Sequence, residues 1–197
     1  ELHSKKNENY IDYLINFINF KKIYDVFDYG SGTGDIGYLL SKKFKHIKLH
    51  TIESDSFSKE ILKKRNFQIY EDFNNIDMKF DLIISTHVLE HLTNFDVFEN
   101  FKKILKSGHH MFFEVPNNLF KINFTNRPYD SPHLIFFSKK SLEKIQNKFK
   151  LKISNISYAS HSIEKSFSYM RKSKAIHENW TLKKKISNKQ IIKNFIK

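Results

Sequence analysis

Asp28, Gly30, Gly32 and Gly34 alternate along the run Asp28-Tyr29-Gly30-Ser31-Gly32-Thr33-Gly34. The run follows an apolar stretch, Tyr24 to Phe27, that reads as a buried strand. Alternating glycines after a strand allow backbone to approach a ligand closely, because glycine lacks a Cβ and accepts φ > 0. Ile36-Gly37-Tyr38-Leu39-Leu40 then reads as the start of a helix. Strand, glycine turn and helix N-terminus together form a ligand cradle. Two kinds of ligand compete for it. Gly32-x-Gly34-x-x-Gly37 fits a dinucleotide-binding pattern, with Glu53 near the distance of a ribose-binding acid. A dinucleotide would bring phosphates beside Asp28, which repels them. An acid at the strand's end suits a ligand that is cationic there.

The elements that must hold these residues follow from periodicity. Ile11, Leu14, Ile15 and Ile18 fall at helical spacing and predict a helix over 8–20. Strand one is expected at 24–29 and a helix at 34–44. Strand two is expected at 47–52, ending in Glu53. A helix over 56–65 has Ser56 or Ser58 as a possible cap. A short strand follows at 67–70. Phe80-Asp81-Leu82-Ile83-Ile84-Ser85 is almost continuously apolar, as expected in the middle of a parallel sheet. A helix over 96–105 should stop at Ser107-Gly108, and a fifth strand should cover 110–115. Ser138 should cap a helix over 139–149, and 151–158 reads as a further strand. Strands alternating with helices predict an α/β fold: a mostly parallel, twisted, Rossmann-like sheet flanked by helices. All three prolines, Pro116, Pro128 and Pro132, fall in 116–137, which reads as a long and therefore functional loop. Ile186, Ile191, Ile192, Phe195 and Ile196 suggest an amphipathic helix at the C-terminus. No clear seventh strand is visible.

The Asp28-x-Gly30-x-Gly32-x-Gly34 spacing resembles the first motif of class I S-adenosylmethionine-dependent methyltransferases. Two later blocks agree in order. Phe80 to Leu92, with its Val88-Leu89-Glu90-His91-Leu92 run, is similar to methyltransferases of quinones, sugars and other small metabolites. Leu105-Lys106-Ser107-Gly108 before Met111 to Asn117 looks like the turn into that subgroup's fifth strand, with His109 where the family has a second glycine. The resemblance covers roughly residues 8–158, taken as the cofactor-binding methyltransferase domain. Residues 159–197 are then a basic, helical C-terminal segment of the same domain.

The resemblance implies roles at matching positions. Gly30, Gly32 and Gly34 would pass under the methionine part of S-adenosylmethionine, with Ser31 among them. Asp28 would hold its amino group, directly or through water. Glu53, followed by Ser54, would accept hydrogen bonds from both ribose hydroxyls, having two oxygens to do so. Asp72 and Phe73 would meet the adenine amine and ring. Thr86 and His87 lie where backbone carbonyls face the cofactor. The product would be S-adenosyl-L-homocysteine.

Methyl transfer to a hydroxyl requires alignment, exclusion of water and removal of a proton. A base near neutral pKa favours histidine. His133, in Ser131-Pro132-His133-Leu134-Ile135-Phe136-Phe137-Ser138, is the first candidate, because similar segments in the resembled subgroup sit near the substrate mouth. The alternative is a loop histidine bonding backbone. His91 is the second candidate, with packing against the sheet as its alternative. Phe120, Phe124 and Tyr129 are candidates to wall an acceptor pocket, and Arg127 to hold an anionic group. No histidine and carboxylate set has recognisable metal spacing, and H-E-x-x-H is absent, so no metal is expected.

Composition narrows the partners. The 197 residues suit one domain, with 40% hydrophobic content for a core. There is no cysteine, hence no disulfide and no thiolate-bound zinc. No segment is apolar enough to span a membrane and no secretory signal is visible, which reads as cytoplasmic. The chain begins at Glu1, as a processed or trimmed chain would. Net charge is +13, concentrated toward the C-terminus. A basic segment can bind nucleic acid. The basic residues are lysines except for Arg65, Arg127 and Arg171, and scarce arginine argues against base reading. The expected acceptor is a small molecule, with a sugar or surface-glycan precursor favoured and oxygen preferred to nitrogen. The rivals are an RNA methyltransferase using the basic C-terminal segment and a non-catalytic cofactor-binding partner subunit.

Overall fold

The computed structural model describes residues 10–117, 133–135, 137–160 and 190–196. Residues 10–15 form helix α1. The chain continues through β1 (Asp25–Tyr29), α2 (Asp35–Lys43), β2 (Lys48–Ile52), α3 (Ser56–Lys64), β3 (Phe67–Tyr70) and β4 (Phe80–Thr86). Then come α4 (Val97–Ile104), β5 (Leu105–Asn117), α5 (Lys139–Phe149), β6 (Ile153–Ser160) and β7 (Gln190–Ile196). The strands make one sheet in the order β3-β2-β1-β4-β5-β7-β6. β1 to β5 run parallel, and β7 lies antiparallel between β5 and β6.

The central strands are apolar on both faces because helices cover both. Alternation sorts their side chains. Phe27, Ile83, Met111 and Phe113 join a core with Phe98 and Phe101 of α4 and Ile145 and Phe149 of α5. Val26, Leu82, Ile84 and Phe112 join the opposite core with Leu14 of α1, Leu40 of α2 and Leu62 of α3. Strand order reverses between β1 and β4, so their connections leave in opposite directions. The carboxyl ends of these two strands therefore open a crevice, the usual ligand position in such sheets.

Several expectations need correction. The C-terminal residues 190–196 are the strand β7, not a helix. The spacing of Ile191, Ile192, Phe195 and Ile196 suits a helix, but a short apolar run is ambiguous by periodicity. Here the free edges of β5 and β6 offer a full backbone ladder: β7 pairs Met111–Asn117 on one side and Ile153–Ser160 on the other. α3 is capped by Asp55, whose carboxylate accepts the Ser58 amide at 2.7 Å, and not by Ser56 or Ser58. α4 gives way directly to β5 at Leu105. Phe80 pairs with Leu105 but Leu82 with His110, so Ser107-Gly108 sits in a bulge inside the strand and not in a turn before it. The helix expected over 8–20 is helical at 10–15, with a separate 3-10 turn at Phe20–Lys22. α5 occupies the expected span, with Ser138 accepting from the Ser141 amide at 3.2 Å in a capping box. Of the loop expected at 116–137, residues 118–132 lie outside the described residues, and with them Phe120, Phe124, Arg127 and Tyr129. Among the described residues no helix is long and apolar enough to cross a membrane.

Candidate active site

The glycine turn leaves β1 at the crevice. Gly30, Gly32 and Gly34 all have positive φ, at 64°, 55° and 74°, which excludes most other residues. Their surroundings divide their roles. A Cβ on Gly30 would stand 2.6 Å from Val88 Cγ2, so this glycine lets the β1 turn touch the run after β4. A Cβ on Gly34 would stand 2.6 Å from Leu62 Cδ2 and 2.7 Å from Phe67 Cζ, so this glycine seats α2 against α3 and β3. A Cβ on Gly32 would meet nothing within 4 Å. Gly32 alone of the three faces open space, where a ligand can lie on its backbone.

Glu53, at the end of β2, closes the other wall. Its Oε2 accepts the Gly32 amide at 2.7 Å. Its Oε1 accepts the amides of Ser54 at 2.7 Å and Asp55 at 2.9 Å. A carboxylate has about four acceptor positions, so one is left. Taking both hydroxyls of a ribose would require Gly32 to be released. The exposed Ser54 thus orients Glu53 through its amide. Ser31 is held inward: its hydroxyl lies 2.9 Å from Thr51 Oγ1, which donates to the Asp28 carbonyl at 2.6 Å.

Asp28 is buried in β1 between Thr51 and Ile84. Burial, then the charges of Glu53 and Asp35, raise its carboxyl from 3.8 to about 7. A buried acid held near neutrality by lost hydration and neighbouring acids is stabilised by an arriving cation. Asp35 sits in the first turn of α2. It pairs with Arg65, which also donates to the Thr33 carbonyl at 2.8 Å and lies over the Tyr38 ring at 4.8 Å. Arg65, the C-cap of α3, therefore clamps the glycine turn. Sequence reading noted Arg65 only as a scarce arginine, and nothing in its spacing signals this contact. With Asp28, Asp35 and Glu53 around the turn, a pyrophosphate is disfavoured and an ammonium or sulfonium is suited.

Asp72 and Phe73 follow β3. The exposed Asp72 accepts the Asn74 amide at 2.7 Å and caps the 3-10 turn Phe73–Asn75. Phe73 packs on Tyr29 with centroids 5.5 Å apart and on Phe101 at 5.9 Å. Both therefore have structural duties beside any contact with an adenine ring.

Beyond β4 the chain turns sharply at His87, whose φ is 57°. Thr86 ends the strand, and the His87 amide donates to the Glu114 carbonyl at 3.0 Å. The His87 ring stands between two fully buried acids, 3.3 Å from Glu90 Oε1 and 3.5 Å from Glu114 Oε1. Tyr10 of α1 donates its hydroxyl to Glu114 at 2.5 Å. His91 is exposed rather than packed under the sheet, and its ring meets that of His133 edge-on at 4.9 Å. His133 Nε2 lies 3.9 Å from Glu90 Oε1. The Glu90 carbonyl accepts the amides of Leu134 at 2.7 Å and Ile135 at 3.0 Å, which ties the histidine segment to the end of β4. The fold thus brings both candidate histidines together, 42 positions apart in sequence. It adds Glu90, Glu114 and Tyr10, which sequence reading did not select. Glu90 was visible within the Val88–Leu92 run, whereas Tyr10 and Glu114 meet only through the tertiary fold.

A family model described as a methyltransferase domain matches residues 4–155. No curated protein matches in sequence. The fold is similar to an O-methyltransferase from a trans-AT PKS multienzyme of Brevibacillus brevis, solved with S-adenosyl-L-homocysteine. That likeness has TM-score 0.67 at 15% identity, over 96% of this chain and 71% of the other. It is also similar to coclaurine N-methyltransferase bound to N-methylheliamine and S-adenosyl-L-homocysteine, with TM-score 0.69, 13% identity, and 98% and 72% of the two chains covered. The plantazolicin methyltransferase BpumL matches with TM-score 0.63 at 14% identity, over 100% of this chain and 83% of its own.

Proposed function

The chain belongs to the methyltransferase-domain family, and from that premise we propose that it moves the methyl group of S-adenosylmethionine to an oxygen of a small molecule. Nitrogen is the second choice of acceptor atom. The observation that carries the cofactor is the pairing of open backbone at Gly32 with buried Asp28 and oriented Glu53. That donor set fits a cation joined to a ribose and opposes a pyrophosphate.

When bound, the cofactor supplies a methyl group on a sulfonium whose departure needs no acid. The protein's part is positioning and proton handling. Asp28 would hold the ammonium and Glu53 a ribose hydroxyl, while Gly30, Gly32 and Gly34 allow close backbone approach. Val88 against the turn would exclude water from one side. At the acceptor, the His133 imidazole would receive the hydroxyl proton, with Glu90 stabilising the imidazolium formed. His91 is the second candidate for that role. Among acceptors, a sugar or surface-glycan precursor leads, on the resemblance of the Val88–Leu92 run.

Calorimetry with S-adenosyl-L-homocysteine and with a nicotinamide dinucleotide tests the cofactor. Binding of the first and not the second is expected, and the reverse would sink the reading. A screen of nucleotide-linked sugars with methyl-labelled cofactor tests the acceptor class.

A further inference from the structure

We propose that Glu90, His91 and His133 bind a divalent transition-metal ion at the acceptor mouth. This rests on the reading that the acceptor sits beyond β4. One donor atom from each of the three residues lies within 4.8 Å of the other two. Glu90 and His91 are neighbours on the 3-10 turn Leu89–His91, and the backbone bonds from Leu134 and Ile135 to the Glu90 carbonyl bring His133 to them.

The second observation is Glu90 itself. It is fully buried, and its Oε2 has no hydrogen-bond partner. A buried carboxylate oxygen without a partner is costly. Its Oε1 stands 3.9 Å from His133 Nε2, too far for a hydrogen bond. Two ligands at about 2.1 Å from one tetrahedral ion lie about 3.4 Å apart, so a modest closing of the gap seats an ion between them.

Two imidazoles and one carboxylate suit zinc, manganese, cobalt or iron, and not calcium or magnesium, which take oxygen ligands. Three protein ligands leave a coordination position for a further group, as in catalytic sites. Exposed His91 and half-buried His133 leave the ion a way in from solvent. An acceptor hydroxyl on the open position would be held in place and made more acidic. Its proton would then leave to water, the oxygen pair would form the new bond to the methyl carbon, and the C–S pair would stay on sulfur. With the ion bound, His133 is a ligand and water takes the proton; its role as base belongs to the chain without the ion.

The test strips the intact protein with a chelator and titrates Zn2+ and Mn2+ by calorimetry. Co2+ is followed by its visible absorption, and S-adenosyl-L-homocysteine binding is measured in parallel. One ion per chain is expected. His91→Ala and His133→Ala should weaken binding by more than about 100-fold, beyond the upper end of losses from second-sphere changes. Glu90→Gln should do the same, with a thermal melt to check folding; the exposed His91 makes His91→Ala decisive if Glu90→Gln unfolds. No stoichiometric ion in the unaltered chain, or an affinity in the histidine variants equal to that of the unaltered chain, overturns the proposal. Cofactor binding without an ion sinks the metal site alone. Ion binding without cofactor binding sinks the methyl-donor reading instead.

Discussion

The Gly32 amide and the Glu53 carboxylate, 21 positions apart, are joined by a 2.7 Å hydrogen bond between the turns that follow β1 and β2. The bond links the open floor of the glycine turn to the acid that ends β2. Its partners are fixed before any ligand arrives, because Ser54 and Asp55 hold the other oxygen of Glu53.

Glu53→Gln should therefore weaken S-adenosyl-L-homocysteine binding while leaving the fold intact. A hydrogen bond to a charged group contributes about 1.5–3 kcal/mol, so the expected loss is roughly 10- to 150-fold by calorimetry. An unchanged affinity would remove Glu53 from the site.

The glycines should separate by readout. Gly34→Ala combines left-handed strain with contacts of 2.6–2.8 Å to Leu62 and Phe67, so it should cost stability most. Overpacking costs about 1–3 kcal/mol and αL strain about 1–2 kcal/mol. Gly32→Ala carries the strain alone, yet its methyl group enters the open cradle. Denaturant midpoints and cofactor titrations on both variants should rank them in opposite orders; the same order in both assays contradicts this division.

Asp28 makes two pH predictions. Its folded value, about 7, lies above its ordinary 3.8 because of burial and then Glu53 and Asp35. The folded chain thus keeps a proton that the unfolded chain releases. The associated stability is fully present below about pH 3.8 and is lost as pH rises through about 7, at most about 4 kcal/mol in all. Asp28→Asn should flatten that part of the stability profile. A cationic ligand needs the carboxylate, so cofactor affinity should rise with pH up to about 7, by at most tenfold per pH unit, with proton release on binding. Affinity flat between pH 5.5 and 8 would show that Asp28 does not face the cation.

Arg65→Ala should loosen the glycine turn without touching the ligand. The pair with Asp35 is partly exposed, with side chains 26% and 42% accessible, which limits its worth to about 1 kcal/mol. Losing the bond to Thr33 O adds a similar amount. A fall in Tm of several degrees is expected for a domain of this size. A Tm equal to that of the unaltered chain would show that Arg65 does not clamp the turn.

His133→Ala should lower the methyl-transfer rate, by roughly 10²- to 10⁴-fold where the imidazole takes the proton and through loss of the ion where it is a ligand, and cofactor affinity should not change. An unchanged rate in single-turnover assays clears His133 of any part in the chemistry.

The amino-acid sequence by itself determined the elements with strong local patterns. The apolar Phe80–Ser85 run, the Ser138-capped helix and the Asp28–Gly34 turn are each encoded within a few residues, through periodicity, capping and glycine's freedom. The glycine turn was legible for the same reason: Gly30, Gly32 and Gly34 are neighbours in sequence, and positive φ at three alternate positions is a local demand. What tertiary structure alone decided has non-local causes. β7 is a strand because β5 and β6 present unpaired backbone edges to it, a demand no local pattern records. Arg65 reaches the glycine turn because α3 packs beside α2. The acid and histidine cluster of Tyr10, His87, Glu90, His91, Glu114 and His133 comes from four separate stretches of chain. Burial gives those acids their meaning, since a carboxylate becomes a demand for positive charge only after the fold removes its water.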